Sequence, residues 1–597
     1  MRFAFAAFAL ALAACSASAP LGPALQPEGA SGVSDKALGH FTREAVVAAH
    51  PLAAEAGARM LREGGSALDA AVAAQMVLGL VEPQSSGIGG GAFLLHWDGA
   101  RVRAYDGRET APASVDDTLF LDARAAPLAF AAAAIGGRAV GVPGLLRMLE
   151  LAHRAHGRLP WARLFEPAIT LAEDGFAVGP RLALLLEGDA ALRRDPLARA
   201  LFYYRADGSA VAVGSRLRNP EYAALLRLIA RQGASALYEG PVAVAIVNAV
   251  RGHTDNPGRL AVADLAAYRA LEREPLCHDW RRFRICGMPP PSSGALVVGQ
   301  ILGVLERLPA RGPEHSQDTP SADFVHRFSQ AARLAYADRE HHVADPDRST
   351  APLGRWDSLL DADYLDARAR LIGPNALREA PPGQPGRSAA GPGAVRALSA
   401  ELPATTHLSI VDAAGNAVAL TSSIEAQFGA RLMVNRGVGL AGGFLLNNQL
   451  TDFSFAPRTA DGATAANRAE PGKRPRSSMA PTFAFEHEAR APLRLVLVAG
   501  SPGGVPIPLY VAKTLWATLA WGLDVQAAVA LPNFGALTGP TLLEAGRFSR
   551  TDVAELRARG HSVVETALTS GAHLLRREAT GWQAGADPRR EGVAAGR

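Results

Sequence analysis

Several signatures of common protein classes are missing from this sequence of 597 residues. There is no basic run with interleaved aromatic residues, and the formal net charge is only +4, so nucleic-acid binding is not expected. Beyond the first residues, no segment reaches transmembrane length without a charge or a proline. The fifteen histidines are scattered without metal-ligand spacing. We therefore expect neither a metal nor an organic cofactor.

Cysteine is rare as well, with three residues in the whole chain. The first, Cys15, ends a short apolar run that starts after Arg2, and residues 12–14 before it read Leu-Ala-Ala. The run has the proportions of a signal peptide, and its end resembles the cleavage box of bacterial lipoproteins. We predict a signal peptide over residues 1–14, a lipid on Cys15 and export to the periplasmic face of a bacterial membrane. The alternative is an ordinary secretory signal with an incidental cysteine.

The other two cysteines, Cys277 and Cys286, lie on either side of the segment HDWRRFRI, which predicts two short strands and a turn. Export to an oxidising compartment allows them to form a disulfide bond. Two free thiols are an equally weighted alternative.

What the sequence does contain is an ordinary globular composition, 48% hydrophobic and 20% charged. Residues 15–38 are rich in alanine, proline, glycine and serine, which predicts a flexible tether. Helical periodicity dominates between about 145 and 345. Residues 373–403 then carry six prolines and no hydrophobic period, and strand-like alternation begins abruptly at Thr405. A loose segment directly before such a strand is typical of a cleavable junction.

The segment from Thr405 to Ser423 predicts a β-hairpin, because the turn residues DAAGN separate two alternating stretches. With a loop of three or five residues, Val411 faces Ala417 and Thr405 faces Ser423. A loop of four residues would shift the register by one and separate the two hydroxyls. The first register places a second hydroxyl beside Thr405.

The hydroxyl of Thr405 is a weak nucleophile until a base takes its proton. The α-amine of a chain terminus has a pKa of about 7.7–8.0, which suits a base near neutral pH. Cleavage of the chain directly before Thr405 would create such an amine beside the hydroxyl. Taken alone, however, the pattern Thr-Thr-His is more typical of an ordinary strand.

Further short motifs occur in a fixed order along the chain: SSGIGGGAF at 85–93, DGRETAP at 106–112, GVPG at 141–144, MPPPSSG at 288–294, LAYADRE at 334–340, TTHLSIVDAAGNAVALTSS at 405–423, LLNNQLTDFS at 445–454, KRPRSSMAPT at 473–482, GSPGG at 500–504 and DPRREG at 587–592. In number and order they resemble the γ-glutamyltransferases, or glutathione hydrolases, of the N-terminal nucleophile (Ntn) hydrolase superfamily. The resemblance covers the span from about residue 40 to the end. It implies an α/β fold, a four-layer αββα sandwich formed from two autoprocessed fragments of one chain. The large fragment is 39–404, and the small catalytic fragment is 405–597.

The resemblance implies a chemical role for each matching residue. Thr405 is the nucleophile, freed by cleavage of the Ala404–Thr405 bond. Ser423 stands where the family usually has a threonine that hydrogen-bonds the nucleophile. The amides of Gly503 and Gly504 match the donors of an oxyanion hole, and glycine lets a backbone amide approach a reacting carbonyl closely.

The same match implies recognition of a free amino-acid end. Arg108 corresponds to the arginine that grips the substrate α-carboxylate, where a planar fork of donors is apt. Gln449 and Asp452 correspond to the residues that hold the α-ammonium, and Glu425 stands near that group where many members carry asparagine. Two serines match a pair that assists the arginine: Ser477 and Ser478.

The implied donors are glutathione and other γ-glutamyl compounds, and the implied acceptors are water, amino acids and dipeptides. The two fragments are expected to stay together as a heterodimer, and lipid is the only expected contact with a membrane. Two alternatives are an acylase on the same scaffold, of glutaryl-cephalosporin or poly-γ-glutamate type, and a non-catalytic lipoprotein that keeps the fold as a binding module. A substrate without an α-ammonium has no use for Asp452, so Arg108 together with Asp452 favours γ-glutamyl transfer.

Two more segments carry expectations. The run SSGIGGG lacks the Lys-Ser/Thr ending of a phosphate loop, so it is interpreted as a tight backbone turn. Residues 453–476 are predicted to form a lid over the site. The middle of this segment, ATAANRAEPGKR, contains no aromatic residue. We therefore expect a mobile lid that excludes water poorly, and hydrolysis in preference to transfer.

Overall fold

The structure, a computed structural model, describes residues 30–316, 319–386, 404–459, 462–486 and 492–597. The predicted signal peptide, Cys15 and most of the tether lie outside the described residues. So do residues 387–403 of the predicted junction. The described geometry around Thr405 is that of the uncut chain, with Ala404 joined to Thr405.

The described residues form α-helices mainly in the part of the chain before Thr405. In chain order the helices are α1 (Pro51–Arg62), α2 (Ala67–Val81), α3 (Phe130–Ala134), α4 (Leu145–His156), α5 (Glu166–Asp174), α6 (Pro180–Gly188), α7 (Pro196–Phe202), α8 (Pro220–Gln232), α9 (Ser235–Tyr238), α10 (Gly240–Arg251), α11 (Val262–Ala267), α12 (Gly294–Glu306), α13 (Ala322–His342), α14 (Ala362–Ala369), α15 (Ile507–Leu519), α16 (Val525–Ala530) and α17 (Arg550–Ala558).

Strands occur on both sides of residue 405. In chain order they are β1 (Gly39–Phe41), β2 (Ala45–Ala48), β3 (Gly91–Trp97), β4 (Val102–Gly107), β5 (Phe176–Ala177), β6 (Arg216–Leu217), β7 (Leu271–Arg273), β8 (Leu276–Trp280), β9 (Phe283–Gly287), β10 (His315–Ser316), β11 (Thr319–Pro320), β12 (Thr405–Val411), β13 (Ala417–Ser423), β14 (Met433–Val434), β15 (Phe444–Leu445), β16 (Thr482–Glu486), β17 (Arg494–Gly500), β18 (Phe534–Ala536), β19 (Thr541–Glu544), β20 (Val563–Thr566), β21 (His573–Glu578), β22 (Gly581–Ala586) and β23 (Val593–Gly596).

Two sheets, each of seven strands in the described part of the chain, form the centre of the molecule. The hairpin sheet has the order β23-β2-β12-β13-β3-β4-β7, and the second sheet has the order β1-β22-β21-β17-β16-β9-β8. One face of the hairpin sheet packs on α1, α2 and α4, and α5 and α8 extend the same apolar core behind α2. Its other face packs on the second sheet, which α12, α15 and α16 cover from the outside, with α13 packed on α12. The α/β fold is thus the predicted four-layer αββα sandwich.

Side chains alternate between the two faces of β12, as the period of a strand requires. Leu408 and Ile410 pack against the helices, whereas Val411 packs toward the second sheet. Thr405 and His407 share the face of Val411. The alternation therefore aims the hydroxyl of Thr405 into the space between the two sheets.

Helix α2 supports the hairpin from the other side. It is apolar on nearly all faces, which is typical of a helix buried between layers. A capping box of Ser66 and Asp69 fixes its first turn. Its one central amide, Gln75, accepts a hydrogen bond from Ser422 Oγ at 2.7 Å and donates to Ser86 Oγ at 3.1 Å. The helix is thereby tied both to β13 and to the glycine-rich turn before β3.

Both sheets contain strands from before and after residue 405. The earlier part of the chain supplies β2, β3, β4 and β7 to the hairpin sheet and β1, β8 and β9 to the second sheet. Strand β2 lies between β12 and β23, and β1 pairs with β22. A cut before Thr405 would therefore leave two chains whose strands alternate within shared sheets.

The elements predicted around the cysteines and in the helical region are confirmed. Helices α8 and α13 lie in the region of predicted helical periodicity, and β8 and β9 form the predicted pair of short strands. Cys277 and Cys286 face each other across β8 and β9 and form a disulfide bond with an S–S distance of 2.07 Å. Of the two alternatives left open by the sequence, the structure contains the paired one.

Within the described residues, no helix combines the length and the apolar character that crossing a bilayer requires. The same residues contain no group of three or more His, Cys, Asp or Glu side chains arranged to hold a metal ion.

Candidate active site

The hairpin is present in the register that brings the two hydroxyls together. Strands β12 and β13 pair along their whole length, with Thr405 opposite Ser423. The five-residue loop between them is held by Asp412, whose Oδ1 accepts hydrogen bonds from the amides of Ala414 and Asn416 at 2.9 and 3.0 Å. Thr405 Oγ1 consequently lies 3.3 Å from Ser423 Oγ. The predicted register is confirmed.

The hydroxyl of Ser423 connects Thr405 to the peptide bond before it. Ser423 Oγ donates a hydrogen bond to the carbonyl oxygen of Ala404 at 2.7 Å and accepts one from Thr405 Oγ1. Ala404 is completely buried, and Thr405 and Ser423 are each 3% exposed. The two hydroxyls therefore form a buried chain of hydrogen bonds that ends on the Ala404 carbonyl.

The guanidinium of Arg108, directly after β4, is completely buried. Its Nε donates to the carbonyl of Pro475 at 3.0 Å, and its Nη2 donates to the carbonyl of Arg476 at 2.6 Å and to the carboxylate of Asp452. Because these partners hold the plane of the guanidinium in place, Arg108 is a fixed rather than a flexible positive charge.

Gln449 and Asp452 begin and end a single 3₁₀ turn, Gln449–Asp452. Gln449 Nε2 donates to Asp452 Oδ2 at 2.7 Å. The amide oxygen of Gln449 is buried and has no hydrogen-bond partner among the described residues. A buried acceptor without a donor costs free energy, and a cationic donor entering the cleft would satisfy it.

The serine pair lies beside Arg108 and is held from two directions. Ser477 Oγ accepts from the amide of Met479 at 3.1 Å, and Ser478 Oγ accepts from Arg339 Nη2 at 2.9 Å. Arg339 Nε also donates to Ser293 Oγ at 2.9 Å. Arg339 lies in the motif LAYADRE, to which the sequence attached no role. Its position in that motif was the available signal, but its partner is 139 residues away.

Glu425 follows β13 in an uncommon backbone conformation, with φ of 77°. Its amide donates to Ser423 Oγ at 2.9 Å, and its carboxylate accepts from Asn448 Nδ2 at 2.6 Å. The side chain is buried. Asn448, which the sequence also left without a role, thus holds Glu425 at the edge of the site.

Gly503 and Gly504 form the turn between β17 and α15, with φ of 137° and 67°. Both values lie in the region that favours glycine. A Cβ atom on Gly503 would lie 2.5 Å from the ring of Tyr510, so a side chain is excluded there as well. Helix α15 begins at Ile507, and the amino end of a helix favours negative charge nearby. The turn is therefore suited to a developing oxyanion.

Glu109 is a buried acid that the sequence did not single out. It is completely buried, and its Oε2 lies 3.7 Å from Arg108 Nη1. Both carboxyl oxygens lack hydrogen-bond partners among the described residues. Burial is the main reason that the pKa of Glu109 rises to about 8, against the opposing effect of Arg108. Glu109 is thus mostly uncharged at neutral pH.

The segment predicted to be a mobile lid is held more firmly than expected. Asn467 Nδ2 donates to the carbonyl of Asp452 at 2.7 Å, and Asn467 Oδ1 accepts from the amide of Arg476 at 3.0 Å. Phe455 stacks on Phe120 with ring centroids 4.4 Å apart. The expectation of a loose segment was wrong for these parts, because one asparagine and one aromatic pair anchor it. Of the described lid residues, those around the tip remain exposed.

Most of the predicted site residues line one cleft, which contains residues from both sides of the predicted cleavage point, whereas Gly503 is not among the lining residues. Its lining is Arg108, Thr405, Ser423, Glu425, Gln449, Asp452, Ser477, Ser478, Met479, Gly504 and Ile507. The glycine-rich turn packs directly against it, since a Cβ on Gly90 would lie 2.2 Å from the carbonyl oxygen of Ser423. The run SSGIGGG is therefore a tight backbone turn, as predicted.

Comparison with known proteins places this arrangement in a family. The sequence model of the family described as gamma-glutamyltranspeptidase matches residues 53–597. The chain belongs to this family.

Relatives of this chain include both glutathione hydrolases and acylases. The chain is 34% identical to a glutathione hydrolase proenzyme of Bacillus subtilis (strain 168), over 82% of this chain and 80% of that protein. It is 33% identical to the glutathione hydrolase proenzyme of Escherichia coli (strain K12), over 86% and 84%. It is also 33% identical to the acylase ACY 1 proenzyme of Pseudomonas sp. (strain V22), over 92% of each chain.

Solved structures of family members likewise include an acylase and a γ-glutamyltranspeptidase. A cephalosporin acylase from Bacillus halodurans superposes with a TM-score of 0.80 at 26% identity, covering 96% of this chain and 99% of that one. A γ-glutamyltranspeptidase from Helicobacter pylori superposes with a TM-score of 0.50 at 31% identity, covering 57% of this chain and 94% of that one. The family is therefore established, whereas the choice between its activities depends on the site.

Proposed function

We propose that the chain cleaves itself between Ala404 and Thr405 and then hydrolyses γ-glutamyl amides, or transfers their glutamyl group, through an ester on Thr405. The supporting observation is the placement of Arg108 and the Gln449–Asp452 turn in the cleft that contains Thr405. A γ-glutamyl group carries a carboxylate and an ammonium on one carbon. A fixed guanidinium beside a carboxylate and a buried acceptor complements that pair of charges.

Self-cleavage follows from the hydrogen-bond chain on the Ala404 carbonyl. Thr405 Oγ1 attacks the carbonyl carbon while its proton passes to Ser423 Oγ, and Ser423 gives its own proton to the carbonyl oxygen. The resulting tetrahedral intermediate is uncharged. It collapses as the C–N bond breaks, the proton moves from that oxygen to the departing nitrogen, and an Ala404–Thr405 ester forms. Water hydrolyses the ester, leaving the carboxyl group of Ala404 and the free amine of Thr405.

The mature site then repeats the same chemistry on a substrate. The new α-amine takes the proton from Thr405 Oγ1, which attacks the γ-carbonyl. The amides of Gly503 and Gly504 stabilise the oxyanion, the amine returns the proton to the leaving nitrogen, and the γ-glutamyl ester remains. Water, or the amine of an amino acid or dipeptide, attacks the ester and releases the glutamyl group.

Recognition uses the charged groups described above. The α-carboxylate is placed against Arg108 with Ser477 and Ser478 beside it, and the α-ammonium is placed against Asp452 and the free amide oxygen of Gln449. Glu425 adds a second carboxylate on the ammonium side. A glycan, nucleotide or simple fatty acyl group would leave these charges unmatched inside a buried cleft.

An acylase activity is the second candidate, favoured by the acylase relative at 33% identity and the cephalosporin acylase at a TM-score of 0.80. A glutaryl group keeps the carboxylate for Arg108 but has no ammonium. Asp452 and the Gln449 oxygen would then face a methylene group. This mismatch makes γ-glutamyl compounds, including glutathione, the better substrates.

The test has two parts. Electrophoresis of the purified protein shows whether the chain is cut, and kcat/KM is then measured on the same preparation with γ-glutamyl and with glutaryl p-nitroanilide. We expect two fragments, Thr405 at the new amino terminus, and kcat/KM at least tenfold higher for the γ-glutamyl anilide. Higher kcat/KM for the glutaryl anilide would assign the acylase activity instead. An uncut chain with full activity would exclude the proposed mechanism, and an uncut chain that only binds γ-glutamyl compounds would favour a binding module.

The lipid anchor is part of the same proposal. Conversion of Cys15 to serine is expected to abolish labelling by a fatty-acid analogue and to move the protein from the membrane fraction to the soluble fraction. Labelling that persists in Cys15→Ser would mean that another residue carries the lipid or that the label is not a lipoprotein modification.

A further inference from the structure

The first residues of β12 lack a strand neighbour on one edge in the described part of the chain. Strand β13 pairs with β12 from Thr405 onward, but β2 pairs only with the part from Leu408 to Val411. In an antiparallel sheet, alternate residues direct their backbone groups to the same edge. The carbonyls of Thr405 and His407 therefore meet no backbone donor from a strand where β2 has ended.

Two side chains occupy that place. Arg590 Nη1 donates to the carbonyl of Thr405 at 3.3 Å, and its Nε donates to the carbonyl of Ser570 at 3.1 Å. His573 Nδ1 lies 2.7 Å from the carbonyl of His407. His573 begins β21 in the second sheet, so it joins the strand of the candidate nucleophile to the opposite layer.

The partners of the two histidines define their protonation. Because a carbonyl only accepts, His573 Nδ1 carries a proton. Ser409 Oγ donates its one proton to the carbonyl of His573 at 2.9 Å, so it accepts from His407 Nε2 at 3.1 Å. His407 Nδ1 then accepts from Thr421 Oγ1 at 2.8 Å. The result is a closed ring of hydrogen bonds between the sheets, in which His573 donates through Nδ1 and His407 through Nε2.

This ring also touches the turn of the candidate oxyanion hole. A Cβ on Gly500 would lie 2.1 Å from His407 Cε1, so the imidazole rests directly on the last residue of β17, three residues before Gly503. Burial lowers the pKa of His573 to about 4 and that of His407 well below its usual value. Both rings are therefore neutral at neutral pH, and each still has the one N–H donor that the ring of hydrogen bonds uses.

Lys36, in the N-terminal segment, holds the loop that carries Arg590. Lys36 Nζ donates to the carbonyls of Asp587 and Arg590 at 2.8 and 2.6 Å and also to that of Gly592. A Cβ on Gly592 would lie 2.6 Å from His573 Nε2. The loop that carries Arg590 is thus fastened by a residue from the opposite end of the chain.

We propose that His573 is a positioning residue for the acyl transfer, which replaces the missing strand neighbour of β12 and sets the placement of Thr405 relative to the Gly503–Gly504 turn. The proposal rests on the proposed function for its kinetic test. It assigns His573 no contact with substrate. Its effect is therefore on kcat rather than on KM.

The experiment uses full-length His573→Leu, His573→Asn and His573→Gln. Leucine removes the donor, asparagine keeps an amide nitrogen near the position of Nδ1, and glutamine moves it outward. We expect His573→Leu to lower kcat on the order of tenfold, equivalent to one hydrogen bond, with KM within about twofold. His573→Asn is expected to recover most of kcat and His573→Gln little of it. A difference between asparagine and glutamine keeps the test decisive if the leucine variant does not fold.

His561→Leu is the matched control. His561 is also buried and also bonded to another histidine, His326, at 2.8 Å, but its partners lie on α13 and at Thr541 rather than on β12. We expect it to lower the melting temperature without lowering kcat. Equal kcat losses in His561→Leu and His573→Leu would overturn the proposal, since general destabilisation would then explain both.

A second readout does not depend on activity. Hydrogen–deuterium exchange of the peptide covering residues 405–411 is expected to accelerate in His573→Leu and to stay unchanged in His561→Leu. If the wild type hydrolyses neither the γ-glutamyl nor the glutaryl anilide, the proposed function fails, and this exchange comparison alone decides the positioning role. Unchanged exchange in His573→Leu would overturn it.

Discussion

The two halves of the cleft contain different kinds of chemical groups. The neutral half consists of two hydroxyls, Thr405 and Ser423, and the backbone of Gly504, which Gly503 precedes. The charged half consists of the side chains of Arg108, Glu425, Gln449 and Asp452, and Glu109 lies buried beside Arg108. Hydroxyls and amides suit bond making on any acyl group, whereas the charges match one particular arrangement of carboxylate and ammonium. Under the proposed function, the neutral half would carry out the acyl transfer and the charged half would select the substrate.

The largest effect should come from the neutral half. Thr405→Ala removes the attacking oxygen, so the chain should remain uncut and inactive toward every acyl anilide. Thr405→Ser keeps an oxygen and should retain self-cleavage at a reduced rate. Electrophoresis and anilide hydrolysis measure both. Cleavage in Thr405→Ala would show that another residue performs the attack.

The next largest effect is expected from a substitution that alters the charged half and leaves the neutral half intact. Asp452→Asn removes the negative charge that faces the α-ammonium, and a hydrogen bond to a charged group is worth about 1.5–3 kcal/mol. We expect kcat/KM for the γ-glutamyl anilide to fall roughly 10- to 150-fold, while self-cleavage still occurs. Hydrolysis of the glutaryl anilide should fall far less. An equal loss with both anilides would mean that Asp452 serves Arg108 alone.

Arg108→Lys tests the geometry of the charged half without changing its charge. Lysine lacks the planar guanidinium that Pro475, Arg476 and Asp452 hold in place, so its charge would not be fixed in position against the substrate carboxylate. We expect the KM for γ-glutamyl donors to rise by the equivalent of about 1–3 kcal/mol. An unchanged KM would remove Arg108 from carboxylate recognition.

A smaller effect is expected from pH. Glu109 has its pKa raised to about 8, so it is neutral below that value and gains a charge as the pH rises through it. The new carboxylate, 3.7 Å from Arg108 Nη1, competes with the substrate carboxylate, and KM should increase above pH 8. Glu109→Gln should flatten this increase. The same increase in that variant would assign it to the substrate amine instead.

The smallest effect concerns the acceptor. The anchored ends of the lid leave an exposed tip whose described residues include no aromatic side chain, so hydrolysis is still expected to exceed transfer. Product partitioning with increasing glycylglycine measures this balance. Dominant γ-glutamyl-glycylglycine at low millimolar acceptor would contradict it. The firm hold of Asn467 on both lid ends makes the expected excess smaller than a freely moving lid would give.

Local chemistry explains what the sequence could predict. The register of the hairpin followed from five turn residues, because pairing across a short loop depends on nothing distant. The identity of the charged residues followed only from resemblance to the family, since nothing near Arg108 in sequence indicates that Asp452, 344 residues away, is its partner.

The contacts that the sequence did not reveal share a physical cause. Asn467 looks like an ordinary loop residue, yet its amide bonds both ends of the lid. His573 reads as the first residue of a strand, yet its ring bonds a carbonyl 166 residues away. Such contacts form only when separate layers pack, so neither periodicity nor turn chemistry contains them. The expectation of a loose lid was wrong for its anchored parts for the same reason.

Strand β12 is the third of seven in its sheet, with neighbours on both sides over most of its length. The amino terminus of a newly made polypeptide is exposed to solvent, and charged chain termini are seldom buried in the folded protein. The proposed cut would create a second amino terminus in the interior of the protein, where synthesis and folding alone do not place one. The order of events is then fixed: the layers must assemble first, and the amine that activates Thr405 appears only in molecules that have already assembled correctly. An unfolded or misassembled copy would carry no reactive terminus.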